Sequence, residues 1–368
     1  MKILSIVGTR PNFMKIAPLI EEFRKHGLRH VLVHTGQHYD ARLSRLFFDD
    51  LGLPKPDEHL ACITGQSVNE QRKSLKLAIK EALKRQRPDL VVVVGDVNST
   101  VAGAEAAHGL GIKVAHIEAG LRSFDNTMPE EINRIRTDRI SDFLFTTERS
   151  ADENLKKEGL GKNKIFFVGN VMIDTLLKHR EKAEKSRILS QLKLDKKRYC
   201  VLTLHRPSNV DRKGEFVKIL EILEKIQEKM KIVFPVHPRT RKNIGKFGLE
   251  HRIRAMKNLI ITKPLGYLDF LCLMSHSRLV LTDSGGIQEE TTVLGVPCIT
   301  LRNNTERPVT VSQGTNLLVS TSSSKVVEAA LQAIEGKASK KRKMPPLWDG
   351  MAAQRIVGVL KRAINNPQ

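Results

Sequence analysis

Short apolar segments alternate with amphipathic ones along most of the chain, and this alternation limits the folds that it can adopt. In the first half, apolar runs such as KILSIVG, LVVVVGD and KVAHIEAG are separated by segments that have helical spacing and often end in glycine. Strands this uniformly apolar are typical of a parallel sheet covered by helices on both faces. The sequence therefore predicts an α/β fold with a doubly wound parallel sheet.

A second cycle of the same kind follows a charged stretch near residues 178–198. Its apolar runs include YCVLTLH, KIVFPVH, RLVLTDSGG and VPCITL, again separated by helical segments. A chain of 368 residues is also long for a single hydrophobic core. We therefore expect two doubly wound α/β domains that face each other.

Composition narrows the class of protein. Apolar residues make up 40% of the chain, and no run approaches the length of a membrane-spanning helix. Arg10 follows the first apolar run too soon for a secretory signal. The four cysteines lack the paired spacing of a zinc or redox site, which favours reduced, buried thiols in a cytoplasmic protein.

The formal net charge of +22 raises the alternative of a protein that binds nucleic acid. The basic residues are spread along the chain, however, and one Trp and three Tyr leave little aromatic surface for base stacking. Solvated helix faces, and secondarily an anionic substrate, account better for the charge. A basic nucleic-acid-binding protein is kept as the non-enzyme alternative.

In open parallel sheets, ligands bind beyond the carboxyl ends of the strands, so the polar residues there are informative. The first strand is followed by GTRPNFMK, which lacks the G-x-G-x-x-G pattern and disfavours a Rossmann-type NAD site. Arg10 and Lys15 instead place two cations beside a helix N-terminus, a favourable position for phosphate. An exposed first helical turn is the alternative interpretation.

Carboxylates follow the next strands and a predicted helix start. Asp96 comes after LVVVVG, Glu118 comes after KVAHI, and Glu130 and Glu131 follow Pro129. A helix N-cap would also explain Asp96, and helix-dipole stabilisation would explain the two adjacent glutamates. Successive helix residues point in different directions, so Glu130 and Glu131 cannot both face one cleft, and we expect a small effect from changing Glu131. Carboxylates that share a cleft have separated pKa values, so one can act as acid and another as base.

Histidines end two strands of the second half. His205 and Arg206 follow LTL, and His237 follows FPV. A single histidine in such a place is more often structural, but two at matching positions favour a cleft that faces an anion.

The segment LTDSGGIQEE predicts a strand, a turn of small residues and a helix. Ser284, Gly285 and Gly286 can bring backbone N–H groups close to a phosphate. Glu290 lies about one helical turn further on and could accept hydrogen bonds from ribose hydroxyls. A plain tight turn is the alternative, since Gly-Gly pairs are frequent in turns.

Together these motifs resemble those of a known family. The segments GTRPNFMKIAPL, GDVNST, HIEAGLRS…PEE, HRP, PVHP, DSGGIQEE and TERP occur in the order and spacing of the non-hydrolysing UDP-N-acetylglucosamine 2-epimerases. The resemblance extends from Arg10 to Pro308 and implies a GT-B architecture, with two Rossmann-like doubly wound parallel-sheet domains and an interdomain cleft. The implied domains are residues 1–172, with a C-terminal helix at about 353–368 packing back on them, and residues 173–352.

The resemblance also implies an activity. Members of the family interconvert UDP-N-acetylglucosamine and UDP-N-acetylmannosamine without metal or NAD, by eliminating UDP to a 2-acetamidoglucal and adding it back with the opposite configuration at C2. The positions that match the family's catalytic residues are Asp96, Glu118, Glu130 and His205. The positions that match its substrate-binding residues are Arg10, Lys15, Phe270, Ser284, Gly285, Gly286, Glu290 and Arg307.

This chain departs from the family pattern at two places. Pro207 and Ser208 stand where the family commonly has Arg and Glu, and Leu265 stands where many bacterial members have Gln. These departures bear on allosteric control by substrate, which bacterial relatives show. The candidate residues for such a second nucleotide-sugar site are Gln37, Arg72, Arg206 and His237.

Other readings share some of these motifs. A hydrolysing epimerase, which releases N-acetylmannosamine, usually departs from the first-loop pattern that Arg10, Pro11 and Lys15 retain. A GT-B glycosyltransferase would share the fold, but the carboxylates at the strand ends of the first domain disfavour it. By analogy with the family we expect a homodimer that supplies precursors for polysaccharides.

Overall fold

The computed structural model describes residues 1–36, 48–60, 68–320, 323–337 and 342–365. Its internal contacts divide the chain into two compact units. The first consists of Met1–Lys178 and Pro346–Gln368, and the second of His179–Pro345. These limits lie a few residues from those implied by the family resemblance.

The first unit is built on a parallel sheet. Within the described residues its strands are β1 (Lys2–Val7), β2 (Arg29–His34), β3 (Glu58–His59), β4 (Leu90–Val94), β5 (Lys113–Ile117), β6 (Phe143–Thr146) and β7 (Ile165–Phe167). They lie in the order β3-β2-β1-β4-β5-β6-β7, and every pairing is parallel. This order places a topological switch point between β1 and β4, where ligands bind in doubly wound sheets.

Helices flank this sheet, and its central strands are the most completely buried. Within the described residues the helices include α1 (Arg10–Lys25), α2 (Val68–Gln86), α3 (Asn98–His108), α4 (Pro129–Ile140), α5 (Arg149–Lys157) and α6 (Val171–Glu184). The β4 segment LVVVV is buried along its whole length. Val91 and Val93 belong to one core cluster with Leu83 of α2 and Ala104 of α3. Continuous apolar strands therefore indicated correctly that the sheet is covered on both faces.

The C-terminal segment belongs to the first unit. Trp348 is buried, and its indole N–H donates a hydrogen bond to the Thr147 carbonyl oxygen at 2.9 Å. The last helix, α16 (Ala352–Asn365), receives its cap from Asp174, whose carboxylate accepts hydrogen bonds from the N–H groups of Ala352 at 3.1 Å and Ala353 at 2.7 Å. Burial raises the pKa of Asp174 to about 6, while these two N–H groups act in the opposite direction.

The second unit repeats the same plan. Its described strands are β8 (Tyr199–Thr203), β9 (Lys231–Pro235), β10 (Leu259–Thr262), β11 (Leu279–Thr282), β12 (Cys298–Leu301) and β13 (Asn316–Val319). They lie in the order β10-β9-β8-β11-β12-β13, again all parallel, so the switch point falls between β8 and β11.

The helices of the second unit complete its layers. They are α7 (Ile188–Gln191), α8 (Pro207–Val210), α9 (Lys213–Gln227), α10 (Pro238–Phe247), α11 (Glu250–Ala255), α12 (Tyr267–Ser275), α13 (Gly285–Leu294), α14 (Pro308–Ser312) and α15 (Ser323–Glu335). The cysteines Cys200, Cys272 and Cys298 are buried and unbridged, as predicted, and Cys62 lies outside the described residues. No helix in the described ranges is both long enough and apolar enough to cross a membrane.

Candidate active site

Glu118 and Lys15 meet at the carboxyl edge of the first sheet. Glu118 follows β5 and is buried, and the Lys15 ammonium on α1 donates a hydrogen bond to its carboxylate. The backbone of Glu118 has φ +70°, a left-handed conformation that is uncommon for any residue other than glycine. Strained backbone of this kind is concentrated at functional sites. The cation that was predicted to face phosphate is thus bound to a predicted catalytic acid in this structure.

Asp96 follows β4 and keeps part of its side chain exposed. Its carboxylate accepts a hydrogen bond from Arg134 Nε at 3.1 Å, and its backbone carbonyl accepts one from the Asn133 amide at 2.9 Å. Arg134 and Asn133 are both on α4, so this helix holds the end of β4 in place. Asp96 and Glu118 therefore occupy different environments, one partly solvated beside a guanidinium and the other buried beside an ammonium.

Glu130 and Glu131 have different surroundings at the start of α4. Glu131 is buried, forms an ion pair with Arg134, and accepts hydrogen bonds from the backbone N–H groups of Ser123 and Phe124, each at 3.0 Å. Glu130 is half-buried. The sequence correctly indicated that the two side chains diverge, but it missed that Glu131 organises the loop between β5 and α4.

A buried network of hydrogen bonds and ion pairs holds this edge of the sheet in place, and it was not predicted from the sequence. His116 on β5 lies with Nδ1 2.6 Å from the Asp138 carboxylate and Nε2 2.8 Å from the Gly95 carbonyl oxygen. Arg122 pairs with Asp138 at 2.7 Å and with Glu158. Burial would raise the pKa of Asp138, but His116 and Arg122 hold it below its ordinary value. The network ties the residues before Asp96 and Glu118 to α4.

In the second unit, His205 is joined to a buried carboxylate. Asp283 follows β11, is fully buried, and lies with one oxygen 2.9 Å from His205 Nδ1. It also accepts hydrogen bonds from the backbone N–H groups of His205 at 3.0 Å and Arg206 at 2.9 Å. Burial would raise the pKa of Asp283, but His205 and the N–H donors lower it to about 2.

The predicted Ser-Gly-Gly turn lies at the start of α13. Ser284 precedes the helix and makes no capping hydrogen bond from its side chain, and Gly285 is the first helical residue. A Cβ atom at Gly285 would lie 2.4 Å from Oε1 of the buried Glu306, so a larger residue there would require the Glu306 side chain to move. N–H groups at a helix start are a favourable place for phosphate. The phosphate-binding role of Ser284, Gly285 and Gly286 stays a prediction.

Glu290 lies one turn further along α13 and is buried. The hydroxyl of Tyr267 on α12 donates a hydrogen bond to its carboxylate at 3.2 Å. Burial raises the pKa of Glu290 to about 7, although this hydrogen bond acts in the opposite direction. Phe270, the predicted neighbour of uracil, lies on the same helix as Tyr267 and is half-buried.

Three arginines of the second unit lie beside the buried acids Glu289 and Glu306. Arg307 Nε lies 2.7 Å from Glu289, and Arg302 Nη2 lies 2.7 Å from Glu306. Arg206 lies 3.7 Å from the other oxygen of Glu306. Arg307 was predicted to bind UDP, and its partner Glu289 is a contact that the sequence did not reveal.

Four predicted site residues remain, which are His237, Arg72, Arg10 and Gln37. His237 precedes α10, and its ring centroid lies 5.6 Å from that of His205, so these two histidines are neighbours. Arg72 is on α2 of the first unit and is half-buried. Arg10 begins α1, but its side chain lies outside the described part of the chain, as does Gln37.

Known proteins resemble this chain over most of its length. Residues 21–361 match the family model described as UDP-N-acetylglucosamine 2-epimerase. A Methanococcus maripaludis protein described as a UDP-N-acetylglucosamine 2-epimerase homolog is 47% identical, with 89% of this chain and 91% of the relative covered. The UDP-2,3-diacetamido-2,3-dideoxy-D-glucuronate 2-epimerase of Pseudomonas aeruginosa is 42% identical, with 90% of this chain and 91% of the relative covered.

Solved structures show the same likeness along the whole chain. The crystal structure of the Methanocaldococcus jannaschii UDP-GlcNAc 2-epimerase, in complex with UDP-GlcNAc and UDP, has a TM-score of 0.92 and 43% identity, with 98% of this chain and 100% of that chain covered. The predicted fold class, a GT-B protein with two Rossmann-like parallel-sheet domains, is thereby confirmed. Motifs at the strand ends, two sheets with Rossmann strand order, and similarity over nearly the full length lead to one conclusion: the chain belongs to the UDP-N-acetylglucosamine 2-epimerase family, a family of isomerases.

Proposed function

We propose that the protein interconverts UDP-N-acetylglucosamine and UDP-N-acetylmannosamine. In the forward direction the C2–H and C1–O bonds break, which yields UDP and a 2-acetamidoglucal, and UDP then adds back while a proton is delivered to the opposite face of C2. The observation that carries this proposal is the group of acids at the carboxyl edge of the first sheet, where Glu118 is held in strained backbone beside Lys15.

The chemistry explains why several acids are needed. The C2–H of the sugar is not next to a carbonyl group, so a base can remove it only as the C1–O bond breaks and positive character builds on the ring. Inversion then requires a proton from the other face, which needs a second acid/base group. Asp96 and Glu118 are two such acids, one partly exposed beside Arg134 and the other buried beside Lys15, and the half-buried Glu130 adds a third.

Departure of UDP needs positive charge and hydrogen-bond donors. We assign this role to His205, to Arg10, Lys15 and Arg307, and to the N–H groups at Ser284, Gly285 and Gly286. The buried pair of Arg307 with Glu289 supports a guanidinium held in a fixed orientation. Glu290 is assigned to the ribose hydroxyls and Phe270 to the uracil.

Three further features belong to the same proposal. Gln37, Arg72, Arg206 and His237 are the proposed residues of a regulatory nucleotide-sugar site, and the proximity of His237 to His205 supports a link between that site and catalysis. The proposed assembly is a homodimer, by analogy with the family. The proposed location is the cytoplasm, in keeping with three buried, unbridged cysteines in the described residues.

One experiment tests the reaction. The protein is incubated with UDP-N-acetylglucosamine in D2O, without added metal or NAD, and the products are followed by NMR. We expect UDP-N-acetylmannosamine that carries deuterium at C2. Release of only free sugar and UDP would indicate the hydrolysing reaction instead, and retention of hydrogen at C2 would exclude deprotonation.

The Pseudomonas aeruginosa relative supports a second candidate substrate, UDP-2,3-diacetamido-2,3-dideoxy-D-glucuronate, because its identity of 42% is close to that of the UDP-GlcNAc 2-epimerase of known structure. The reacting atoms are the same in both sugars, so the acids of the first domain would serve either one. Comparing kcat/KM for the two nucleotide sugars under the same conditions decides between them.

A further inference from the structure

Asp283 is the most completely buried acid beside a proposed catalytic residue. Its side chain is inaccessible to solvent, whereas 41% of the His205 side chain is exposed. The two residues follow β11 and β8, which are adjacent strands on either side of the switch point of the second sheet. Asp283 thus lies on the buried side of the His205 ring, and the rest of the ring points toward solvent.

We propose that Asp283 is a positioning residue that fixes the tautomer and orientation of His205, so that Nε2 faces the substrate. A carboxylate can only accept hydrogen bonds, so the His205 nitrogen 2.9 Å away, Nδ1, must carry a proton. The neutral ring then presents Nε2 as an acceptor, and the protonated ring presents it as a donor. This inference rests on the proposed function, in which His205 faces the departing diphosphate.

The contacts of Asp283 show that it stays ionised and in place. Two backbone N–H groups, those of His205 and Arg206, and the Asn209 amide at 3.2 Å all donate to its carboxylate. A backbone N–H group can only donate, and the Asn209 amide is held as a donor because it also donates to the Leu301 carbonyl oxygen at 3.1 Å, so all three groups favour the charged form. The Asp283 carboxylate therefore has a fixed position, and it can orient the imidazole of His205.

Two kinds of contact must be separated experimentally. The contacts to backbone and to Asn209 hold the turn after β8, which is a structural role, whereas the contact to Nδ1 acts on the imidazole itself. Asn209→Ala removes the hydrogen bonds of Asn209 to Asp283 and to the Leu301 carbonyl oxygen and leaves the contact of Asp283 with the ring intact, so it is a matched control. Asp283→Asn keeps the shape of the side chain but offers an N–H group to Nδ1, which would favour the opposite tautomer.

The primary measurement is 15N NMR of histidine-labelled protein, with the His205 signals assigned by comparison with His205→Gln. In the unmodified protein we expect the neutral ring to carry its proton on Nδ1, and in Asp283→Asn on Nε2. The wild-type spectrum alone tests the proposal, even if the variant does not fold. A proton on Nε2 in the wild type, or an unchanged tautomer in Asp283→Asn, would overturn it.

Kinetics supply the second measurement. Loss of the correct tautomer should lower kcat by roughly 10²-fold or more while KM stays near its original value. Asn209→Ala should retain the wild-type tautomer and most of kcat. Equal losses of kcat in both variants, without a change of tautomer, would show that Asp283 is only structural. A wild-type protein with no C2 exchange would disprove the proposed function, while the tautomer would still report on the role of Asp283.

Discussion

Lys15 and Glu118, which are 103 residues apart in sequence, form a buried ion pair at the carboxyl edge of the first sheet. Each was assigned a separate role from sequence, one as a phosphate ligand and the other as an acid. Because the two residues are paired, the Lys15 ammonium stabilises the Glu118 carboxylate directly. The effects of substitutions at the two positions are therefore expected to be coupled.

A double-mutant cycle measures this coupling. Lys15→Met leaves a buried carboxylate without its ammonium and should lower the free energy of unfolding by about 3 kcal/mol. Adding Glu118→Gln should restore most of that stability, because the uncompensated charge disappears, but turnover should remain low. Denaturant unfolding and C2 exchange are measured on all four proteins. Additive losses of stability would show that the pair is not coupled.

Glu130 and Glu131 should respond differently to the same change. Glu130→Gln alters a half-buried acid and should lower turnover by roughly 10²-fold or more with little effect on stability. Glu131→Gln weakens a buried ion pair and two backbone hydrogen bonds, and should lower the free energy of unfolding by about 2 kcal/mol. Thermal unfolding and exchange at C2 separate the two effects. The small effect of Glu131→Gln on turnover stays a prediction, but its buried contacts mean that this variant is not a neutral control for stability.

The buried Glu290 should make stability depend on pH. Its pKa is raised from 4.5 to about 7, so the folded protein holds a proton that the unfolded chain releases within that interval. The stabilisation is complete below about pH 4.5 and is lost as the pH rises to about 7, a change of about 3 kcal/mol.

Glu290→Gln supplies the comparison, because it removes this titration and nearly preserves the shape of the side chain. The difference in unfolding free energy between the two proteins should therefore vary with pH within the same interval. Asp174 also titrates there, with its pKa raised to about 6, but it is present in both proteins and cancels. A constant difference across the interval would contradict the assignment.

Asp174 should control the last helix. Asp174→Ala leaves the N–H groups of Ala352 and Ala353 without their acceptor, which should cost about 1 to 2 kcal/mol. Hydrogen exchange should become faster in the first turn of α16 and stay unchanged in α9 of the second unit. Uniformly faster exchange would indicate general destabilisation instead of a local cap.

Much of the fold could be predicted because its signals are local. The β4 run LVVVV is buried on both faces, and its composition alone indicates that. The edge of each sheet that carries the site was also predictable, since parallel strands bring their carboxyl ends together. That reasoning placed Asp96, Glu118, His205 and Ser284 at strand ends, where the structure has them.

The partners of these residues could not be predicted in the same way. Whether Lys15 reaches Glu118 depends on how α1 is rotated and packed against the sheet, and sequence spacing does not specify that rotation. Asp283 was not predicted as a site residue because in the sequence it is only the residue that follows a strand. It contacts His205 because β8 and β11 are adjacent in the sheet. From sequence, stabilisation by the helix dipole explained Glu131, whereas in the structure Arg134 and the backbone at Ser123 bind its carboxylate.

Trp348 gives the protein an intrinsic fluorescent reporter. It is the sole tryptophan in the sequence, it is buried, and its N–H is bonded to Thr147 within the first unit. Tryptophan emission shifts to longer wavelength when water reaches the indole, so the emission maximum should follow the release of the C-terminal segment from the first unit. Since no tryptophan lies in the second unit, a denaturation curve recorded by tryptophan emission reports on the first unit, and circular dichroism reports on both.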